Sequence, residues 1–103
     1  MTVTGNDEED TLKALQHPMR RKILRHMGGV NAKKGAILEE VSPRDLALAL
    51  RQPLSNVSYH VRVLADFKAI TSTRVEPVRG TLRHFYRLSL TEPWALQILN
   101  IKT

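Results

Sequence analysis

The sequence predicts a mainly α-helical fold of about five helices that carries one two-stranded β-hairpin. Apolar residues recur at spacings of three and four in several segments, which is the periodicity of amphipathic helices. The stretch 70–89 differs, because it is rich in β-branched residues and is interrupted by the turn-forming residues 77–80. Two strands joined by a turn are therefore expected there.

Length and composition restrict the class of protein. A chain of 103 residues suits one domain, which we predict at 7–103 after a disordered tail at 1–6. Hydrophobic residues make up 42% of the chain, which excludes a wholly disordered protein, and no apolar run is long enough to span a membrane. The absence of cysteine excludes disulfides and thiolate metal sites. With no signal-peptide core near the acidic N-terminus, a cytoplasmic protein is expected.

Charge is distributed unevenly along the chain. The formal net charge is +6, and four of the ten acids lie together at 7–10. From Thr11 onward, 16 lysines and arginines stand against six acids. A body this basic favours a polyanionic partner, and nucleic acid is preferred over an anionic membrane because no surface helix with a basic amphipathic face stands out.

Two helices are predicted before residue 30. The first covers about 7–16, where the acids suit a helix N-terminus. His17-Pro18 separates it from the second helix at 18–27, which Gly28-Gly29 ends. In the second helix the residues expected to be buried are Met19, Ile23, Leu24 and Met27, and those expected to be exposed are Arg20, Arg21, Lys22 and Arg25. Residues 30–41 allow both a short strand and a helical turn.

A pair of helices follows, around which the chain is organised. Ser42 is expected to cap the third helix, with Pro43 in its first position and Asp45 completing a capping box. Residues 51–53, Arg-Gln-Pro, interrupt the pattern before a fourth helix at about 54–67. The apolar residues predicted to face the core are Leu46, Ala47, Ala49 and Leu50 in the third helix and Leu54, Val57, Val61 and Leu64 in the fourth.

The opposite face of the fourth helix is polar. It carries Ser55, Tyr59, Arg62 and Asp66, flanked by Asn56, Ser58 and Val63. Helices that read the DNA major groove need short hydrogen-bonding side chains near their N-terminus and a cation nearby. Taken alone, the pair is either a helix-turn-helix or an ordinary helical hairpin with a polar outer face.

The remaining residues predict a basic hairpin and a short last helix. The hairpin carries four arginines against the single acid Glu76: Arg74, Arg79, Arg83 and Arg87. Its tip is expected to project from the body of the protein. The last helix is predicted to take Thr91 as its cap and to continue with Trp94, Leu96, Ile98, Leu99 and Ile101.

Helices, a helix pair and a basic hairpin, in this order, make a winged helix-turn-helix, and several motifs resemble one family with that fold. Residues 15–24, LQHPMRRKIL, resemble the L-x-x-P-x-R-x-x-I-L signature of ArsR-like bacterial transcription regulators. Residues 46–50, 56–64 and 80–88 resemble the family's L-A-x-x-L, T-V-S-x-H-L-x-x-L and G-R-x-x-x-Y-Y-x-L motifs. The resemblance covers about residues 12–90.

The resemblance implies sequence-specific binding of double-stranded DNA, regulation of transcription and a homodimer formed through the first and last helices. Two features depart from the family. Arg51-Gln52-Pro53 stands where a Gly-Leu-Ser turn is common, and the loop 28–41 is longer than usual. The cysteine motif of the family's metal sensors is absent, so neither a metal nor a cofactor is predicted, and no small-molecule effector is indicated.

The residues predicted to bind DNA lie in the fourth helix, the turn before it and the hairpin. They are Ser55, Asn56, Ser58, Tyr59, Arg62, Arg51, Arg74, Arg79 and Arg83. Asparagine can pair with adenine through two hydrogen bonds, and arginines on a hairpin can follow the DNA backbone or enter the minor groove. Helix capping, solvation and protection of a strand edge are the alternative roles.

Other side chains bear on assembly and on catalysis. The predicted dimer seam consists of Leu12, Leu15, Trp94, Ile98 and Ile101, which could instead cover their own core. His60 borders an apolar stripe and is expected to be a core residue. No nucleophile elbow or glycine-rich phosphate loop is present, so no enzymatic activity is predicted. A winged helix that binds only another protein is the alternative function.

Overall fold

The computed structural model describes residues 3–30 and 40–101, in which five helices and one antiparallel hairpin follow each other in the predicted order. The helices are α1 (Val3–Ala14), α2 (Pro18–Met27), α3 (Pro43–Leu50), α4 (Leu54–Asp66) and α5 (Pro93–Ile98). The strands β1 (Ile70–Val78) and β2 (Thr81–Leu88) lie between α4 and α5. The predicted mainly α fold with one hairpin is confirmed.

One hydrophobic core holds the helices together. α4 packs against α2, α3 and β1. The fully buried side chains of these elements are Ile23, Leu24, Met27, Leu46, Val57, Val61, Leu64 and Ile70. Burying a side chain of this size stabilises the fold by about 1.5–3 kcal/mol. The periodic apolar pattern of α2 and α4 is therefore the main source of their stability.

Two residues predicted to face the core are exposed. Ala49 lies beyond the arc of α3 that Leu46, Ala47 and Leu50 direct toward the core. Leu54 is the first residue of α4, and 45% of its surface is exposed because the helix reaches the core only in its next turn. Leu54 therefore belongs to the outer surface of the helix pair.

α1 is attached to α2 by two arginines that the sequence assigns to solvent. Arg20 donates hydrogen bonds from Nε to the carbonyl of Ala14 at 3.1 Å and from Nη2 to the carbonyl of Lys13 at 2.9 Å. Arg21 donates from Nη1 to the carbonyl of Leu15 at 2.7 Å. The last carbonyls of a helix have no partner within it, so these guanidinium groups complete α1. Both arginines are half-buried, which corrects their predicted exposure.

The capping box predicted at the start of α3 is present. Ser42 Oγ accepts a hydrogen bond from the N–H of Asp45 at 3.1 Å, and the Asp45 carboxylate accepts one from the N–H of Ser42 at 3.0 Å. α3 ends at Leu50, and the residue that caps its C-terminus, Arg51, has a φ of 56° in the left-handed region. A residue with a side chain is strained there by about 1–2 kcal/mol, whereas glycine is not. The chain thus makes the turn of its helix pair without glycine.

The hairpin turns in two residues, where the sequence predicts four at 77–80. Pro77 and Val78 pair with residues of β2 and therefore belong to β1. The turn itself consists of Arg79 and Gly80, whose φ angles are 49° and 82°. A two-residue turn with positive φ angles at both residues fits the right-handed twist of paired strands. The strands can therefore remain paired as far as the turn.

The hairpin is also tied to the segment before α3. Val41 forms an isolated antiparallel bridge with Tyr86, in which each N–H donates to the other carbonyl at 2.8 Å. The end of the segment 30–41 is therefore extended, which is one of the two alternatives that the sequence allows. Residues 31–39 lie outside the described part of the chain.

Both terminal helices begin at other residues than predicted. α1 begins at Val3 and ends at Ala14, so the segment 1–6, assigned to a disordered tail, includes the start of a helix. No proline interrupts these residues, and extending a formed helix by one residue is easier than starting it. Glu92 takes the N-cap position of α5 in place of Thr91, but its side chain makes no capping hydrogen bond. The Glu92 carboxylate instead accepts a hydrogen bond from Thr11 Oγ1 at 2.7 Å.

Replacing Arg51 by glycine should stabilise the protein. We expect Arg51→Gly to raise the free energy of unfolding by about 1 kcal/mol, because glycine relieves the left-handed strain. Arg51→Ala keeps that strain, so its stability should equal that of the wild type. Urea denaturation of the three proteins measures both effects, and a glycine variant less stable than the alanine variant would contradict the argument.

Candidate nucleic-acid interface

The polar residues of α4 lie together on its outer face. Ser55, Asn56 and Tyr59 are exposed in the first half of the helix, and Arg62 is exposed one turn further on. Ser58 is half-buried beside them. The inner face of α4 is occupied by the core, so this polar face is the surface that the helix can offer to a partner.

A groove of about 380 Å³ lies between the helix pair and the hairpin. Its arginines come from three elements: Arg44 from α3, Arg62 from α4 and Arg83 from β2. None of the described residues that line this groove is acidic. Its lining also includes the hydroxyl-bearing Ser58 and Tyr86 and the apolar Leu54, Val61 and Leu82.

Arg44 also lines this groove, although it is not among the residues that the sequence predicts to bind DNA. It is exposed in the second position of α3, immediately after the capped N-terminus. In helix-turn-helix proteins the first helix of the pair crosses the DNA backbone. An arginine in the first turn of α3 is therefore the sequence feature from which a contact of this residue with the DNA backbone could be predicted.

Arg51 and Arg79 both lie at turns of the protein chain and have unusual backbone angles. Arg51 is exposed in the turn between α3 and α4, and Arg79 is exposed at the tip of the hairpin. Both adopt the left-handed conformation that glycine would adopt at lower energy. Residues in such conformations are concentrated at functional sites.

Arg74, predicted to contact DNA, is bound by neighbouring side chains on the protein surface. Its guanidinium lies 2.8 Å from a carboxylate oxygen of Glu40 and 2.9 Å from one of Glu76, and it stacks 3.9 Å above the ring of Phe85. Hydrogen bonds from Thr73 and then from Arg74 lower the pKa of Glu40, and the two carboxylates raise the pKa of Arg74. Arg74 thus has both its charge and its flat face engaged.

Arg74 also lies on the far side of the hairpin. Leu82, His84 and Tyr86 of β2 line the groove with one face of the strand. Arg83 and Phe85 alternate to the opposite face, so Arg83 borders the groove only at its edge. Arg74 is the cross-strand partner of Phe85 and shares that face. Its position favours a structural role in the hairpin over the predicted contact with DNA.

His60 fixes α4 against α2. Only 4% of its surface is exposed, and its ring lies 4.2 Å from that of His17, centroid to centroid. Arg20 Nη1 lies 3.5 Å from its Nδ1. Burial, and then the neighbouring His17 and Arg20, lower the pKa of His60. This side chain is therefore a neutral member of the core, as the sequence predicts.

The residues predicted to form a dimer seam divide into two groups. Leu12 and Ile98 are exposed over 50% and 58% of their surface, and Trp94 is half-buried. Leu15 and Ile101 are buried in their own core. A Cβ atom at Gly28 would lie 2.5 Å from the side chain of Ile101, which shows how closely the C-terminal segment packs on the end of α2.

The described side chains form no cluster of metal ligands. Among the side chains of residues 8–30 and 40–101, no three histidines, aspartates or glutamates come close enough together to hold a metal ion. Over the same residues, no helix combines the length and apolar character needed to cross a bilayer.

Comparison with known proteins identifies the fold. No protein-family model and no curated protein matches the sequence. Among solved structures, the transcriptional repressor PagR of Bacillus anthracis is similar over 97% of both chains, with a TM-score of 0.68 and 20% identity. HlyU from Vibrio cholerae is similar over 97% of this chain and 91% of its own, with a TM-score of 0.62 and 21% identity. The ArsR family transcriptional regulator RHA00566 is similar over 97% and 86%, with a TM-score of 0.56 and 17% identity. The predicted winged helix-turn-helix fold is confirmed.

The environment of His60 makes stability depend on pH. Because its pKa is lowered from 6.5 on folding, the folded protein binds a proton less readily than the unfolded chain. Stability should therefore be full above about pH 6.5 and should fall as the pH decreases. The variant His60→Gln removes the titrating ring, so its melting temperature should fall less between about pH 7.5 and 5.5. Parallel pH profiles for the variant and the wild type would contradict this assignment.

Proposed function

We propose that the protein is a cytoplasmic, DNA-binding transcription regulator of the ArsR-like type. In this proposal α4 enters the major groove, and the hairpin lies on the flanking backbone. One observation carries it: the only polar face that α4 leaves uncovered is continuous with a groove in which the described lining is basic and free of acids. The winged-helix fold supports the same function, since the solved structures that share it include a transcriptional repressor.

The side chains of α4 are assigned to different parts of the DNA. We assign Asn56 to a base edge, because its amide can pair with adenine through two hydrogen bonds. Ser55, Ser58 and Tyr59 can reach neighbouring bases or phosphates through their hydroxyl groups. Arg62 lies a turn deeper along the helix and is assigned to phosphate. Arg51 and Arg79 are assigned to contacts with the DNA backbone on either side of α4.

A homodimer is part of the proposal. The hydrogen bond from Thr11 to Glu92 brings α1 beside the start of α5, and each of these helices exposes a large apolar side chain, Leu12 and Ile98. A second copy could cover both. A symmetric dimer would then read two half-sites about one helical turn, or ~34–36 Å, apart.

Two single substitutions distinguish recognition of the base sequence from sequence-independent binding to the DNA backbone. Asn56→Ala should relax sequence preference, with a loss of about 1–3 kcal/mol on the preferred duplex and little loss on others. Arg79→Ala should weaken binding to all duplexes alike and reduce the dependence on salt. Fluorescence anisotropy on duplexes selected from a random pool, between roughly 50 and 200 mM salt, measures both.

The result can also refute the proposal. If the wild-type protein shows no affinity for duplex DNA at low salt, the DNA-binding function is wrong and the winged helix serves a protein partner. If both variants behave like the wild type, the roles given to the two residues are wrong.

Charge placed on the exposed apolar residues should prevent dimer formation. Leu12→Asp and Ile98→Asp should each shift the protein toward the monomer in sedimentation velocity, because an aspartate would have to be buried unpaired. Leu48→Asp is the matched control, since Leu48 is 69% exposed on α3, away from these helices. Equal sedimentation of all three variants and the wild type would exclude α1 and α5 as the dimer interface.

A further inference from the structure

We propose that a proton-sensitive cluster of three side chains, His17, Arg20 and His60, holds α4 against α2, and that protonation of this cluster loosens α4 and weakens DNA binding. The inference rests on the proposed function, because it concerns the helix assigned there to the major groove. It adds a form of regulation to that function, since α4 is then held in place only while His60 is neutral.

The cluster joins two helices by direct contacts. His17 lies immediately before α2 and Arg20 is in its first turn, whereas His60 lies in the middle of α4. The rings of His17 and His60 are 4.2 Å apart, centroid to centroid, and Arg20 Nη1 lies 3.5 Å from His60 Nδ1. Only 4% of the surface of His60 is exposed, so these contacts are made on the buried side of α4.

Both imidazole rings accept a hydrogen bond through a nitrogen that carries no proton. His17 Nδ1 accepts one from the N–H of Met19 at 3.0 Å and thereby caps α2. A guanidinium group has only donors, so His60 Nδ1 presents its lone pair to Arg20. Each neutral ring therefore has its proton on Nε2. Protonation adds a second proton at Nδ1, where a donor already points.

Every charged group that acts on His60 is a cation. Burial, and then the positive charges of His17 and Arg20, lower the pKa of His60. α3 and β1 also pack on α4, but this shift has no contribution from their charged residues, which are Arg44, Asp45, Arg74 and Glu76. Among the described residues, no carboxylate therefore compensates a proton on His60.

The lowered pKa of His60 gives the direction of the effect. A ring that has left the cluster binds a proton more readily than the ring within it, so acid favours release. The contact is therefore complete above about pH 6.5 and is lost as the pH falls. His60 also meets the ring of Tyr59 edge to face, with centroids 5.1 Å apart. Displacement of His60 thus disturbs a side chain that is assigned to DNA.

This effect is opposite in direction to simple charge attraction. A basic protein gains positive charge as the pH falls, which strengthens its binding to phosphates. His84 is exposed and lines the groove between the helix pair and the hairpin, so its protonation would act in this ordinary direction. A loss of affinity in acid that depends on His60 is therefore specific to the cluster.

Duplex affinity measured at about pH 7.5 and about pH 5.5, at constant salt, tests the inference. The affinity at the higher pH is divided by that at the lower pH for each protein. This ratio should be about three- to tenfold larger for the wild type than for His60→Gln, because glutamine keeps an acceptor for Arg20 and cannot gain a proton. His26→Gln is the matched control. His26 lies in the last turn of α2, so this variant should keep the wild-type ratio.

A second variant covers the case in which His60→Gln does not fold. His17→Asn changes an exposed residue and keeps a favoured capping side chain, and its ratio should lie between those of the wild type and His60→Gln. Far-UV circular dichroism of the wild type at the lower pH should show that its helices are retained. Loss of the whole helical signal there would mean that acid unfolds the entire protein, and it would overturn the inference.

The outcomes distinguish this inference from the proposed function. If the wild type binds duplex DNA with the same pH ratio as both cluster variants, the cluster does not control α4 and the function stands. If the wild type does not bind duplex DNA at the higher pH, the function fails. NMR spectra that correlate the ring protons and nitrogens of His60 test the cluster in either case. They should show the proton of the neutral ring on Nε2, and a proton on Nδ1 would overturn the inference.

Discussion

The orientation of α4 depends on the burial of one side of the helix. Its apolar residues Val57, Val61 and Leu64 are buried in the core, and His60 is buried beside them. Arg20 donates hydrogen bonds to the last carbonyls of α1 and lies 3.5 Å from His60, so three helices meet at this side chain. Burial, and then the positive charges of its neighbours, lower the pKa of His60. Since this side of α4 is buried, its polar face points outward.

The groove follows from how the neighbouring elements are attached. The capping box of Ser42 and Asp45 fixes the start of α3, and the Val41–Tyr86 bridge joins the hairpin to the residue just before it. Backbone hydrogen bonds and a cap therefore set the distance between the helix pair and the hairpin. The arginines of the groove are brought together by these bonds despite their mutual repulsion, which is the arrangement expected of a site for a polyanion.

Arginine serves two purposes in this small protein. Arg20, Arg21 and Arg74 connect parts of the fold by binding carbonyls and carboxylates. Arg51 and Arg79 instead occupy left-handed positions at exposed turns, where glycine would be more stable. Strain of this kind is retained at functional sites when the side chain serves binding.

Sequence alone was enough for features whose parts lie close together in the chain. The bounds of α2, the capping box at Ser42 and the burial of Val57, Val61 and Leu64 in α4 depend on residues within two helical turns, so periodicity and cap chemistry predict them. The tertiary structure decided the rest. Arg74 is bound by Glu40, which lies 34 positions earlier, and Arg44 lines a groove with Arg62 only when α3, α4 and the hairpin pack together. The sequence shows where the arginines lie along the chain, but the carboxylates and carbonyls that bind them are brought close only by folding.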